Sequence, residues 1–229
     1  MYAAVSYRYK NIIQSLDSMG LQVIEVPSYK NNDDNYESSH ADMQVLKIDD
    51  TVFLIRDNDI LNERIAGECG HNIKYVGIID RFVYPQCVKL NAVALNGMII
   101  ANQKYLDNVV KETYSDYKLI DVKQGYAKCS SAVVSNRAVI TADESIIKAC
   151  VENKIDHLRI RPGYIDLCER YGGFIGGSCF QIEDTMFFAG RIEDHPDYDR
   201  IKAFCLNYSV RIRSVTKSAL TDIGGVVII

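Results

Sequence analysis

A chain of 229 residues, 48% hydrophobic and 24% charged, has the composition of an ordinary globular protein and is long enough to bury a core. With 30 acidic against 26 basic residues, a net charge of -4, and Lys and Arg scattered among the acids, no basic stripe offers itself to a phosphate backbone, so nucleic acid is not an expected partner. The start MYAAVSYRYK lacks the apolar run of a signal peptide and nothing approaches the roughly 18 apolar residues of a membrane span, which reads as a cytoplasmic protein with no membrane partner.

In chain order, SYRYKNIIQSLDSMG places Ile12, Ile13, Leu16 and Met19 on one helical face with Gly20 as the stop, and the strand LQVIEV follows. Two apolar runs, MQVLKI and TVFLI, then flank Asp49 and Asp50, and are followed by a helix in NDILNERIAGE and a strand in IKYVGII. AVAL and MIIA flank Asn96 and Gly97, a strong two-residue hairpin signal, ahead of the helix ANQKYLDNVVKETYS and the strand YKLIDV. SAVV and RAVI flank Ser135 and Asn136. The helix ADESIIKACVENK then groups Ile146, Ile147, Cys150 and Val151 behind an Asp143 cap, and the strand HLRIR follows. SCFQI and TMFFA flank Glu183 and Asp184, before a helix with Ile201, Phe204, Cys205 and Tyr208 behind Asp194 and Pro196, and the strand VRIRSV. The last strand lies in ALTDIGGVVII.

The first turn residues, Asp49, Asn96, Ser135 and Glu183, are 47, 39 and 48 residues apart, and a period in the forties marks an internal repeat of strand, strand, helix and strand. Four copies are contiguous. The fifth is split, its first strand at the C-terminus and its helix and last strand at the N-terminus, so that joining the ends closes a ring. The expectation is one α/β domain over residues 1–229, a five-fold pseudosymmetric propeller of five ββαβ units, with the last nine residues indispensable.

The seven cysteines form no C-x-x-C pair, and no phosphate-loop, dinucleotide-binding, zinc-protease or serine-hydrolase signature occurs, so neither a metal nor a cofactor is expected. The ring of five units resembles the pentein fold, the α/β propeller of the guanidine-modifying enzymes, which also includes non-catalytic ribosome anti-association factors. His40-Ala41-Asp42-Met43 looks like the H-x-D strand start on which the deiminases carry a base and a guanidinium-binding acid. QGYAKCS, FIGGSCF and LTDIGG look like an uncharacterised bacterial branch of the superfamily. The chain departs from the enzymes in its C-terminal strand, which has no Cys where their nucleophile lies.

Counting seven residues back from each turn pair selects Asp42, Lys89, Lys128 and Gly176, with Asp222 as the counterpart in the split unit. If these positions are on strands, residues two before and two after share their face: His40, Cys87, Tyr126 and Phe174, then Gln44, Asn91, Ser130 and Ser178. That face is polar, and in a ring it lines the axis. The reading places a small-molecule ligand in a central channel, its planar cation held by Asp42 and Asp222, with Lys89, Asn91, Lys128 and Ser130 as further binding residues. His40 serves as acid or base, and Cys87, favoured as a thiolate by Lys89, as nucleophile of a deiminase-like or amidinohydrolase-like hydrolysis. The alternative is a non-catalytic binding module with a macromolecular partner; a solvated pore accounts for the same polar face. Either reading is compatible with a homodimer. Cys129 and Cys179 fall on the opposite, core face. His71, His157 and His195 suit local structural roles, and the polar loop SYKNNDDNYESS reads equally as a lid or as plain surface.

Overall fold

The computed structural model describes residues 1–32, 35–70, 72–168 and 171–229. The elements run β1 (Tyr2–Ser6), α1 (Lys10–Ser18), β2 (Gln22–Val26), α2 (Ala41–Gln44), β3 (Val45–Ile48), β4 (Thr51–Ile55), α3 (Asp59–Glu68) and β5 (Asn72–Val76). They continue with β6 (Val93–Leu95), β7 (Met98–Ala101), α4 (Asn108–Thr113), β8 (Lys118–Asp121), β9 (Ser131–Ser135), β10 (Ala138–Thr141), α5 (Glu144–Glu152) and β11 (Asp156–Arg159). The last are β12 (Asp166–Cys168), β13 (Tyr171–Gly172), β14 (Cys179–Ile182), β15 (Thr185–Phe188), α6 (Tyr198–Leu206), β16 (Arg211–Ser214) and β17 (Val227–Ile228).

Five three-stranded sheets share one wiring. A hairpin pairs the first strand antiparallel to the second, and a helix returns the chain so that the third lies parallel to the second: β3-β4-β5, β6-β7-β8, β9-β10-β11 and β14-β15-β16. The fifth sheet, β17-β1-β2, takes its first strand from the chain end, with Ala3 opposite Ile228 and Ala4 opposite Val227. The tight hairpins use left-handed backbone at Asp49, Gly97 and Glu183, as two-residue turns between twisted strands require. First strands of successive units touch across β6 and β9, β9 and β14, β14 and β17, and β17 and β3. Asn91 reaches Asp42 between the remaining two units. This is the pentein architecture, with its apolar clusters under helices and between sheets.

Several sequence expectations are corrected. β1 was not anticipated, because Ala3, Ala4 and Val5 are all buried and give no alternation. In the helix expected over ANQKYLDNVVKETYS, only Asn108–Thr113 is α-helical, capped by the Asp107 carboxylate on the Val109 amide. Met19 and Val151 are exposed, at the ends of their helices. Asp197, not Asp194, begins α6, and it accepts from the Arg161 amide at 2.7 Å while pairing with Arg161 and Arg200. Asp143 does cap α5, accepting from the Ser145 and Ile146 amides. An additional small hairpin, β12-β13, precedes the last full unit. No helix among the described residues is long and apolar enough to cross a membrane.

The largest correction concerns the residues just before each first strand. They are helical turns. Asp42 is in α2, Gln86–Val88 form a 3-10 turn that Lys89 continues, and residues 127–130 and 175–178 are turns. Their amides reach back three or four residues: Met43 to His40, Asn91 to Val88, Ser130 to Tyr126, Ser178 to Ile175. A period of three to four replaces the period of two, so faces assigned by alternation do not hold there.

Candidate active site at the convergence of the turns

The turns bring Asp42, Asn91, Cys129 and Asp222 together in the interior, all but fully buried. Asn91 is the tie. Its side-chain oxygen accepts from the Lys128 amide at 2.7 Å and the Cys129 amide at 3.3 Å. Its NH2 reaches the Asp42 carbonyl, the Met43 sulfur and Cys129 Sγ at 3.4, 3.3 and 3.1 Å. Asn91 therefore fixes its own unit to both of its neighbours.

The Cys129 thiol donates to Asp42 Oδ2 at 3.0 Å, while Asp42 Oδ1 is buried with no partner among the described residues. Asp222 is held differently: its carboxylate accepts from the Phe174 amide at 2.9 Å and the Gly224 amide at 3.0 Å. Two glycines make room for it, since a Cβ on Gly173 or Gly177 would overlap the Asp222 side chain. The loop 222–225 also meets the first unit. Gly224 accepts from the Asp42 amide at 3.0 Å, and its left-handed backbone lies against His40 so closely that a Cβ there would collide with the ring.

Burial, and next the charge of Asp222, push the Asp42 carboxyl up to about 7. Burial likewise raises Asp222 to about 6, against the opposing pull of the Gly224 and Phe174 amides. His40 is pushed down to about 3 by burial and then by Arg8, so its imidazole is neutral at ordinary pH, which does not suit the acid or base role expected from the sequence. Its Nε2 is buried without a partner among the described residues.

Cys129 thus lies against the carboxylates as well as in the core, a position that strand alternation missed. Cys87 lies apart from Asp42. Its Sγ is 4.0 Å from the Tyr126 hydroxyl, which donates to Glu37 at 3.0 Å, and Tyr126 stacks between Tyr84 and Phe174. Lys89 does not activate it: the ammonium donates to the Ile78 carbonyl at 2.9 Å and lies 4.0 Å from Asp107. Burial and then Glu37 push the Cys87 thiol up to about 12. Lys128 borders the cavity floored by Asp42, and Ser130 lines a separate cavity of about 290 Å3 beside Phe174. Glu37, Tyr126 and Tyr9, whose hydroxyl donates to the Asp222 carbonyl, also surround the cluster. The sequence signal that could have found Cys129 is the i, i+3 spacing within each turn. His195 accepts from the Asp197 amide through Nδ1, and His157 Nδ1 lies 3.1 Å from the Ile155 carbonyl. His71, and residues 33 and 34 of the polar loop, lie outside the described residues.

A family model, described as a family of unknown function (DUF6873), matches residues 4–227. No curated protein matches the chain. Among solved structures, DDAH from Pseudomonas aeruginosa complexed with citrulline is similar at 8% identity and a TM-score of 0.60, covering 98% of this chain and 95% of that one. Agmatine deiminase from C. jejuni is similar at 11% identity, with a TM-score of 0.56 and coverage of 93% and 87%. An amidinotransferase from Microseira wollei, of the saxitoxin biosynthetic pathway, gives 8%, 0.58, 94% and 79%. At such identities the likeness is one of fold.

Proposed function

The chain belongs to the family of unknown function DUF6873, and we propose that it binds a guanidino or similar cationic compound on Asp42 and Asp222. The observation that carries this reading is Asp42 Oδ1, a buried carboxylate oxygen without a partner among the described residues, beside a second buried carboxylate. Burying two acids without a cation is costly, and a planar cation with several N–H donors supplies both the charge and the missing hydrogen bonds. The guanidine-handling proteins that share the fold make this class the natural one to test.

In the hydrolytic form of the proposal, a thiolate attacks the guanidinium carbon, the amine departs with a proton, and water then releases the thiol. Cys129, at 3.0 Å from Asp42, is better situated for that attack than Cys87; its proton passes to Asp42, held up at about 7, and on to the departing amine, while His40, pushed down to about 3, is neutral and too weak a base to take that part. A binding module is favoured by a different observation. Burial raises both Cys87 and Cys129, so the free site offers no ready thiolate.

The test is a thermal-shift screen of arginine, agmatine, citrulline, methylated arginines and simple guanidines against wild type and Asp42→Asn. A ligand of the folded state raises Tm, and the expected result is a rise of several degrees that the variant abolishes. No shift with any compound overturns the proposal. With a ligand in hand, ammonia or amine release lost in Cys129→Ser supports hydrolysis, and binding without release supports the module.

A further inference from the structure

A cavity of about 550 Å3 is bounded by the first strand of every unit, with Val45, Val93, Val133, Phe180 and Val227 on its wall. The exposed hairpin turns at Asp49, Asn136 and Glu183 form its rim, and Asp42 and Lys128 lie among its lining residues. The aromatic residues packed around Asp222 and Cys87, namely Tyr84, Tyr126 and Phe174, take no part in lining it. Asp42 therefore borders, at the end away from the hairpin turns, a cavity that opens at the hairpin end.

Lys128 is half-buried, and among the described residues its ammonium makes no ion pair and no hydrogen bond. Its charge acts on both Asp42 and Asp222, yet it stands beyond ion-pair distance from either. Opposite charges that border one cavity without touching leave a gap, and the group that fits such a gap carries both charges in the reverse order. The rest of the wall is mainly aliphatic and adds contact area; the other charged lining residues are Lys47, on β3, and Asp49 and Glu183 in the hairpin turns.

We propose that the ligand enters through this hairpin-end funnel and that its floor takes a compact zwitterion, with the guanidinium or ammonium on Asp42 and the carboxylate on Lys128. This rests on the cation-binding role of Asp42 and specifies the route and the ligand class. Guanidinoacetate, whose carboxylate is one carbon from the guanidinium nitrogen, is the matching probe, and methylguanidine is the same cation without the anion.

Calorimetry and stopped-flow binding of both probes to wild type, Lys128→Met, Ala94→Trp and Val133→Phe test the proposal; the last two place bulk on the funnel wall, far from the carboxylates in sequence. Wild type is expected to prefer guanidinoacetate by about tenfold or more, Lys128→Met to lose that preference while retaining methylguanidine, and the wall variants to slow association of both probes about tenfold. Circular dichroism confirms that each variant is folded, and either wall variant suffices. Unchanged association in a folded wall variant overturns the route, and an unchanged preference in Lys128→Met overturns the zwitterion. Both results leave the Asp42 reading standing. Failure of wild type to bind either probe overturns this inference, and the Asp42 reading falls with it only when the compounds of the thermal-shift screen also give no shift.

Discussion

Asp42 illustrates how one buried side chain can cost stability. Its carboxyl sits at about 7 in the folded protein against 3.8 in an ordinary environment, through burial and the neighbouring charge of Asp222. Below pH 4 both states bind the proton and nothing is lost. As the pH rises from about 4 to about 7 the unfolded chain ionises while the folded one resists, so stability falls across that window by an amount on the order of a few kcal/mol, and stays lower above it. Asp42→Asn is therefore expected to raise Tm at pH 7.5 and to flatten the decline between pH 4 and 7, even as it abolishes cation binding. Thermal melts at several pH values check this; a variant that melts below wild type at pH 7.5 contradicts it. Replacing Asp42 should help the fold and harm the site.

The turn ahead of each first strand is the element on which the site is built. His40, Asp42 and Asn91 were legible as a set because the turn pairs fix their distance from the hairpins, and Asp222 as their counterpart in the split unit, whereas Cys129 was assigned to the core face. Which of them meet was not legible, because a helical turn sets side chains three or four apart on one face. Cys129 moved to the carboxylates for this reason, and Cys87 took a place beside Tyr126 and Glu37. The fifth turn, 222–225, depends on glycine. Gly224 has φ +73 and no room for a Cβ against His40, so Gly224→Ala combines backbone strain with overpacking. The expected loss is about 3 kcal/mol, read from urea unfolding, together with loss of ligand binding; a loss under about 1 kcal/mol would mean that His40 can move aside.

At the scale of the molecule, both termini belong to one sheet. β17 pairs with β1, and the segment leading into it carries Asp222 and the Gly224 carbonyl that accepts from the Asp42 amide. Deleting residues 221–229 leaves β1 with a free edge, opens the contacts of β17 with β3 and β14, and removes one of the two carboxylates. The shortened chain is expected to lose its cooperative thermal transition, as followed by circular dichroism. A sharp transition retained near the wild-type Tm would show that the four remaining units hold together without closure.

The sequence by itself determined the repeat, the hairpins and the pairing of the chain ends, since each follows from local turn chemistry and a hydrophobic period that recurs along the chain. The buried strand β1 escaped it, because a run that is apolar on both faces has no period to read. Only the tertiary structure decided which polar residues are neighbours, that Lys89 turns outward while Lys128 borders the axial cavity, and that burial makes His40 neutral and Asp42 reluctant to ionise. These are properties of the ring's interior: side chains from turns dozens of residues apart meet there, and the energy of a charge is set by neighbours that no stretch of sequence contains.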